Sequence, residues 1–170
     1  MKDKAVKILD ENRLMAISTV RPDGWPQNTI VGYANEDIFI YFVISRHSQK
    51  FANIVRDDRV SIAIGQDFYN PSGIHALSIA AHATEVRDAK QRERVVKLML
   101  DRHPGLKELE APTTDHAAVI RAHPAIITIL DYSKGFGHAD VLTVAPGGLT
   151  EMTPARPDDW GFGVTLKPTT

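Results

Sequence analysis

The chain predicts an α+β fold in which six or seven antiparallel strands close into a small barrel flanked by helices. Three observations carry this. Apolar segments with strand period recur at 14–20, 26–34, 38–44, 60–64, 74–86, 125–132 and 141–144. Helical period is confined to an N-terminal segment, a short stretch after the third strand, and one long charged segment at 88–102. At 170 residues and 43% hydrophobic content there is enough chain for one buried core and too little for two. So many antiparallel strands cannot leave their edges bare without inviting aggregation, and closure removes the edges.

Ala5, Ile8 and Leu9 share one helical face over residues 3–12, and Asn12 supplies a stop, so a short helix should cover an end or edge of the barrel. Leu14 to Val20 reads as the first strand. RPDG at 21–24 places Pro second and Gly last, as a β-turn favours, and returns the chain into a strand from Pro26 to Ala34. Asn35, Glu36 and Asp37 make a second turn into a third strand, IFIYFVIS, which breaks at RHSQK. Ser48 then stands where a helix N-cap belongs, ahead of FANIVRDD. Val60 to Ile64 is apolar nearly throughout and reads as a strand buried on both faces.

A turn-rich loop, QDFYNPSG, leads to the strand from Ile74 to Val86. Asp88 caps the helix DAKQRERVVKLMLDR, and His103-Pro104-Gly105 stops it. Residues 105–122 read as a second helical or irregular segment, so the helical insertion spans about 88–122. Strand period returns at 125–132 and 141–144. The barrel domain therefore covers 1–144. Residues 145–170 hold PGG, TPARPDD and KPTT with little that could form a core, and read as a flexible tail or a docking arm.

Composition narrows the chemistry. With 20 basic and 21 acidic residues and no basic run, a nucleic-acid footprint is absent, and small molecules or protein partners are expected. The lack of cysteine excludes disulfides, thiolate catalysis and cysteine-ligated clusters. The charged N-terminus and the absence of a membrane-length apolar run predict a cytoplasmic protein without a membrane partner. Seven histidines invite a metal reading, but His75 and His82 are seven apart on one strand, face opposite sides and cannot share an ion. His103 and His123 each precede a proline, where a turn explains them.

The helix start at Ser48 carries the sharpest functional signal. The Ser48 hydroxyl can accept from first-turn amides that have no partner within the helix. Lys50 falls inside that turn, where the helix dipole favours negative charge. It either points away into solvent or faces an anion that the helix end also attracts, and a ligand phosphate would resolve the conflict.

The order of the first helix, RLMAISTVRPDGWPQNTIV, IFIYFVISRHSQKFANIVRDDRVSIAI and a late strand resembles the pyridoxamine 5'-phosphate oxidase-like, FMN-binding split-barrel proteins. The likeness runs from about residue 5 to 144. It rests on DGWP at 23–26, Ser48 to Lys50 with Asn53, and DDRVS at 57–61. The resemblance implies an antiparallel split β-barrel and a flavin phosphate held by Ser48, Gln49 and Lys50. The family commonly carries Arg or Lys where Gln49 stands, and Arg46 is the candidate replacement. His47, beside Ser48, either touches the phosphate or is simply exposed.

It further implies an isoalloxazine ring lying along Thr29, Ile30, Val31 and Gly32, with Val43, Ile44 and Ser45 also lining the cofactor. A glycine at 32 would permit close approach of the ring. The implied protein is an FMN-dependent oxidoreductase acting on a small molecule, with FAD as the alternative cofactor. It is expected to be a homodimer with the flavin at the interface. Other readings are a non-catalytic flavin-binding protein, or a relative using deazaflavin or haem.

Authentic pyridoxamine-phosphate oxidases end in an aromatic-containing strand and a loop whose arginine and histidine clamp the substrate phosphate. Here the segment is ITILDYSKGFGHADV, with Leu130 or Asp131 near the expected tryptophan and Lys134 as the loop's cation. Pyridoxamine phosphate is therefore an unfavourable substrate. Phe136 and His138 either reach a partner's flavin or serve as packing and surface residues. Trp160 and Phe162 in the tail are of the kind that anchors on a partner surface.

Overall fold

A computed structural model describes residues 1–66, 73, 75–108, 113–135, 137–145 and 148–152. Their order is α1 (Lys2–Glu11), β1 (Leu14–Val20), β2 (Pro26–Gly32), β3 (Ala34–Glu36), β4 (Phe39–Ser45), α2 (Gln49–Arg56), β5 (Arg59–Gly65) and β6 (His75–Glu85), then α3 (Ala89–Arg102), β7 (Ala117–Asp131), β8 (Ala139–Ala145) and β9 (Gly148–Met152). Short 3-10 turns stand at Pro104–Glu108 and Tyr132–Lys134. Phe136, Trp160 and Phe162 lie outside the described residues, as does most of QDFYNPSG.

Local chemistry sets the ends of these elements. Gly24, at φ +86°, closes the RPDG turn, its N–H donating to the Arg21 carbonyl at 2.9 Å. Ser48 Oγ accepts from the Phe51 N–H at 3.2 Å and Asp88 Oδ1 from the Gln91 N–H at 2.8 Å, so both predicted N-caps form. Asn12 ends α1 and turns its amide back onto the Ile8 carbonyl at 2.7 Å.

Seven strands form one antiparallel path, β2-β1-β5-β6-β7-β4-β3, that curls into a half-barrel. β7 is long enough to serve two neighbours along one edge, pairing β4 through Ala117–Ala122 and β8 through Ile126–Leu130. Thr29, Ile17, Ile62, Ile79, Ile127 and Leu142 stand opposite one another across the inner face, five of the six in the core. Each buried isoleucine contributes roughly 1.5–3 kcal/mol relative to its exposed state.

The two ends of the path, β2 and β3, are consecutive in the chain and joined by Tyr33 alone. Tyr33 is fully buried; its hydroxyl donates to the Leu9 carbonyl at 2.8 Å and its N–H to the Arg13 carbonyl at 3.1 Å. Burial pushes its phenol pKa well above the usual value, so it stays protonated and a donor. One residue thus ties the sheet edges together beneath α1, whose Ala5, Ile8 and Leu9 join the core.

A second apolar cluster lies on the outer face of β3, β4 and β7, where Val95 and Met99 of α3 meet Ala34, Tyr41 and Val119. Arg94 reaches across to both carboxylate oxygens of Glu36. Among the described residues no helix packs over the outer face of β1, β2 and β5, and there Leu14 is 59% and Ile30 67% exposed.

Several expectations are corrected. β5 is not buried on both faces: Val60, Ile62 and Ile64 are buried while Ser61 and Ala63 are exposed, because small outward side chains stand on the uncovered face. The helical insertion ends well before 122, since AAVIRAH belongs to β7, where Ile120 and Ala122 face the core. His123-Pro124 is not a turn: it lies within β7, and a bulge that leaves Ala125 unpaired absorbs the proline's missing donor. Asn35 and Glu36 are strand residues, so the turn begins at Asp37, at φ 54°. Gly148 to Met152 pair with β8 as a strand, where a tail or arm was expected to begin.

Candidate functional site

The start of α2 is held by two serines. Ser48 Oγ donates to the Ser45 carbonyl at 2.6 Å while accepting the Phe51 N–H, so the cap fixes the helix to the end of β4. The hydroxyl proton is thereby committed. The Gln49 and Lys50 amides, at the helix start, have no carbonyl one turn earlier to receive them. The Gln49 side chain is also committed, its Nε2 donating to Asn53 Oδ1 at 2.9 Å.

Lys50 differs from its neighbours. It is half-buried, and among the described residues it has no carboxylate partner. Burial lowers its pKa below that of an ordinary lysine. An unpaired ammonium partly withdrawn from water, at the helix end that disfavours cations, is an electrostatic debt that an anion would discharge.

Arg46 does not replace the cation missing at Gln49. Its guanidinium bonds to the Glu85 carboxylate, its Nε donates to the Thr114 carbonyl at 2.7 Å, and it lies 5.4 Å from the centre of the Phe51 ring. The pairing holds the Glu85 carboxyl below its usual pKa. Arg46 therefore straps the β4–α2 turn to β6. His47 is exposed and meets His116 edge-on at 6.0 Å.

Asn53 links the helix to the proposed ring strand. It is fully buried, with Nδ2 donating to Thr19 Oγ1 of β1 at 3.0 Å and to Gln27 Oε1 of β2 at 3.1 Å. Gln27 shares a face of β2 with Thr29 and Val31. Thr29 Oγ1 is buried and has no hydrogen-bond partner among the described residues.

The remaining predicted residues divide by strand alternation. Val31 packs against the core and Ile44 is part of it. Val43 packs with the α3 cluster on the opposite face, while Ile30 and Ser45 are exposed. The open face of Gly32 is taken by His103: a Cβ there would lie 3.3 Å from the His103 Cε1. The structure thus brings Ser45, Ser48, Gln49 and Lys50 together and ties them to β2 through Asn53. It places Val43 elsewhere.

The segment 131–140 is a charge-balanced cluster. Asp131 and Asp140 are both buried. Asp131 accepts from Lys4 Nζ and from Ser133 Oγ at 2.5 Å, with His75 Nδ1 at 3.2 Å. Burial alone would raise its pKa, but these bonds win and hold it down at about 2. Asp140 takes Lys134 Nζ at 2.7 Å and His138 Nε2 at 3.1 Å, and this pairing raises the Lys134 pKa. Among the described residues no three His, Asp or Glu side chains converge as metal ligands, and no helix is long and apolar enough to cross a membrane.

Sequence reasoning missed Gln27, Thr19 and His103. The available signal was phase: Gln27 and Thr19 are polar at strand positions that alternation assigns to the inner face, where a polar side chain needs a partner. His103 carried no such signal, because it lies beyond the last turn of α3.

Comparisons agree with the fold. The pyridoxamine 5'-phosphate oxidase family model matches residues 1–131. A conserved hypothetical protein from Mycobacterium tuberculosis superposes with a TM-score of 0.69 at 22% identity, covering 79% of this chain and 86% of its own. A haem-binding protein from Mycobacterium smegmatis gives 0.68 at 12% identity, covering 89% and 86%. The haem storage protein HutZ from Vibrio cholerae gives 0.62 at 19% identity, covering 72% and 89%. No curated protein matches the chain.

Proposed function

The chain belongs to the pyridoxamine 5'-phosphate oxidase family, and from that premise we propose that it is an FMN-dependent oxidoreductase acting on a small molecule in the cytoplasm. The observation that carries the reading is Lys50: a half-buried ammonium, without a carboxylate partner among the described residues, in the first turn of a helix that Ser48 caps. A flavin phosphate would supply the anion this arrangement lacks, and the first-turn amides of Gln49 and Lys50 would serve as further donors to it. The unpartnered Thr29 hydroxyl gives β2 a group to offer a ligand, so the residues present fit FMN. FAD would meet the same contacts through its first phosphate.

When bound, FMN supplies the redox chemistry. The chain's own part is placement: Lys50 neutralises phosphate charge, Ser48 holds the helix to Ser45, and Thr29 to Gly32 provide the strand. We further propose a homodimer with the flavin at its interface. Exposed Leu14 and Ile30 on an uncovered sheet face support it. We read the substrate as other than a phosphate ester of the pyridoxamine type, since the Lys134 ammonium is already engaged by the Asp140 carboxylate at 2.7 Å.

The visible spectrum of the purified protein, with identification of the molecule released on denaturation, tests this. FMN release, lost in Lys50→Glu with the fold intact, is the expected result. Unchanged flavin content in Lys50→Glu overturns the assignment. A second reading, haem binding without turnover, is supported by the two neighbours named as haem proteins, and a Soret band in place of a flavin spectrum would establish it. A bound flavin with no turnover above free FMN would instead make the protein a flavin carrier.

A further inference from the structure

We infer that Asn53 is a positioning residue that couples the phosphate end of the flavin site, on α2, to the ring strand β2; this rests on the flavin reading above. Asn53 has no exposed surface, and its side-chain amide bonds to three elements at once. Its Oδ1 accepts from Gln49 in the first turn of α2 at 2.9 Å, and its Nδ2 donates to Thr19 of β1 at 3.0 Å and Gln27 of β2 at 3.1 Å. Its backbone carbonyl also receives the Asp57 N–H at 2.8 Å, closing the far end of the helix.

For stability alone this position has no need of an amide. Ile54 beside it gains its burial without partners, whereas a buried amide requires every bond to be met. What the amide adds is geometry. The link is fully satisfied in its middle and open at both ends. On α2, Lys50 stands next to Gln49 as a half-buried cation with no carboxylate partner among the described residues. On β2, Thr29 stands two residues from Gln27 on the same face, its hydroxyl buried and without a partner among the described residues. A rigid polar spacer therefore separates two unfilled contact points, one suited to an anion and one to a neutral hydrogen-bonding group. A ligand carrying both at fixed separation is held twice only while the spacer keeps α2 and β2 in register.

Titrating FMN, and riboflavin as its phosphate-free counterpart, into wild type, Asn53→Leu and Gln27→Met by flavin fluorescence tests the coupling. The expected result is that FMN binding weakens about five- to tenfold in both variants, with riboflavin binding within about twofold of wild type, so that the preference for FMN shrinks. Parallel loss for both ligands, or no loss for either, assigns Asn53 to fold support and overturns the inference. If wild type takes up neither ligand, the flavin reading fails and this falls with it. FMN uptake with an unchanged preference in the variants removes only the coupling. Asn53→Leu strands the buried Thr19 hydroxyl and unpairs Gln27; if it does not fold, Gln27→Met, which cuts the β2 branch alone at a half-buried position, decides.

Discussion

The imidazole of His103 lies over Gly32, its Nε2 donating to the Tyr33 carbonyl at 2.8 Å, so close that a methyl group on Gly32 would meet the ring at 3.3 Å. The end of α3 is thereby seated on the single-residue junction that joins β2 to β3. Arg102 adds to the clamp by donating to the Leu9 and Asn12 carbonyls at 2.6 and 2.5 Å. Helix, strand junction and α1 meet at one place.

Gly32→Ala should therefore displace His103 by a few tenths of an ångström and weaken its bond to Tyr33. The expected loss is about 0.5–1 kcal/mol, read as a lower midpoint in denaturant. In a His103→Ala background the same substitution should cost nothing, and an undiminished cost there would refute the contact as the cause.

Lys50→Met removes a cation from the wrong end of a helix and from a partly dry site. The protein without ligand should gain about 0.5 kcal/mol, while FMN retention falls. The folded-state pKa of Lys50 is lowered, so the unfolded chain binds more protons in the window below an ordinary lysine's pKa. Wild-type stability rises with pH through that window, and the advantage of Lys50→Met shrinks accordingly. Thermal melts of both proteins from neutral pH towards pH 10 check the sign.

Asp131 titrates at about 2 when folded and near 3.8 otherwise, so its contribution is complete above the higher value and is lost as pH falls through the lower one. Lys4→Met should cost about 1–2 kcal/mol at neutral pH, discounted because Lys4 is 32% exposed. Asp131→Asn should start less stable at neutral pH, having lost that contribution, and its stability should fall less steeply between pH 4 and 2. An identical acid limb in both proteins would assign the acid transition to other carboxylates.

Ser48→Ala removes the cap from Phe51 and the bond to Ser45 together. Loss of about 1 kcal/mol is expected, with weaker FMN binding because the helix start is no longer fixed to β4. Ser48→Asp retains the cap but places a negative charge beside the proposed phosphate. Recovery of stability without recovery of FMN binding would separate the two roles.

Most elements were legible because their signals are local. Ser48 and Asp88 cap the helices their positions announce, RPDG turns, and Leu14 to Val20 alternates as a half-buried strand must. The strand start at Ala117 was not legible, since the proline and bulge that follow AAVIRAH, at Pro124 and Ala125, mimic a boundary. For the site, the Ser48 to Lys50 helix start was readable from cap chemistry. The neutralisation of Lys134 by Asp140 and the diversion of Arg46 to Glu85 were not.

The sequence by itself determined the antiparallel α+β class, the element order, the family, and the residue types at the start of α2. The class, element order and helix start depend on periodicity and capping, which act over a few residues, while the family rests on the order of DGWP, Ser48 to Lys50 and DDRVS along the chain. Only the tertiary structure decided that Tyr33 joins the two end strands of the half-barrel, that His103 covers Gly32, and that Asn53 joins α2 to Thr19 and Gln27. Those hydrogen bonds span up to 70 residues of chain. They exist because curling of the sheet brings distant strands and helix ends to one place, and no local pattern of side chains encodes which distant partner will stand there.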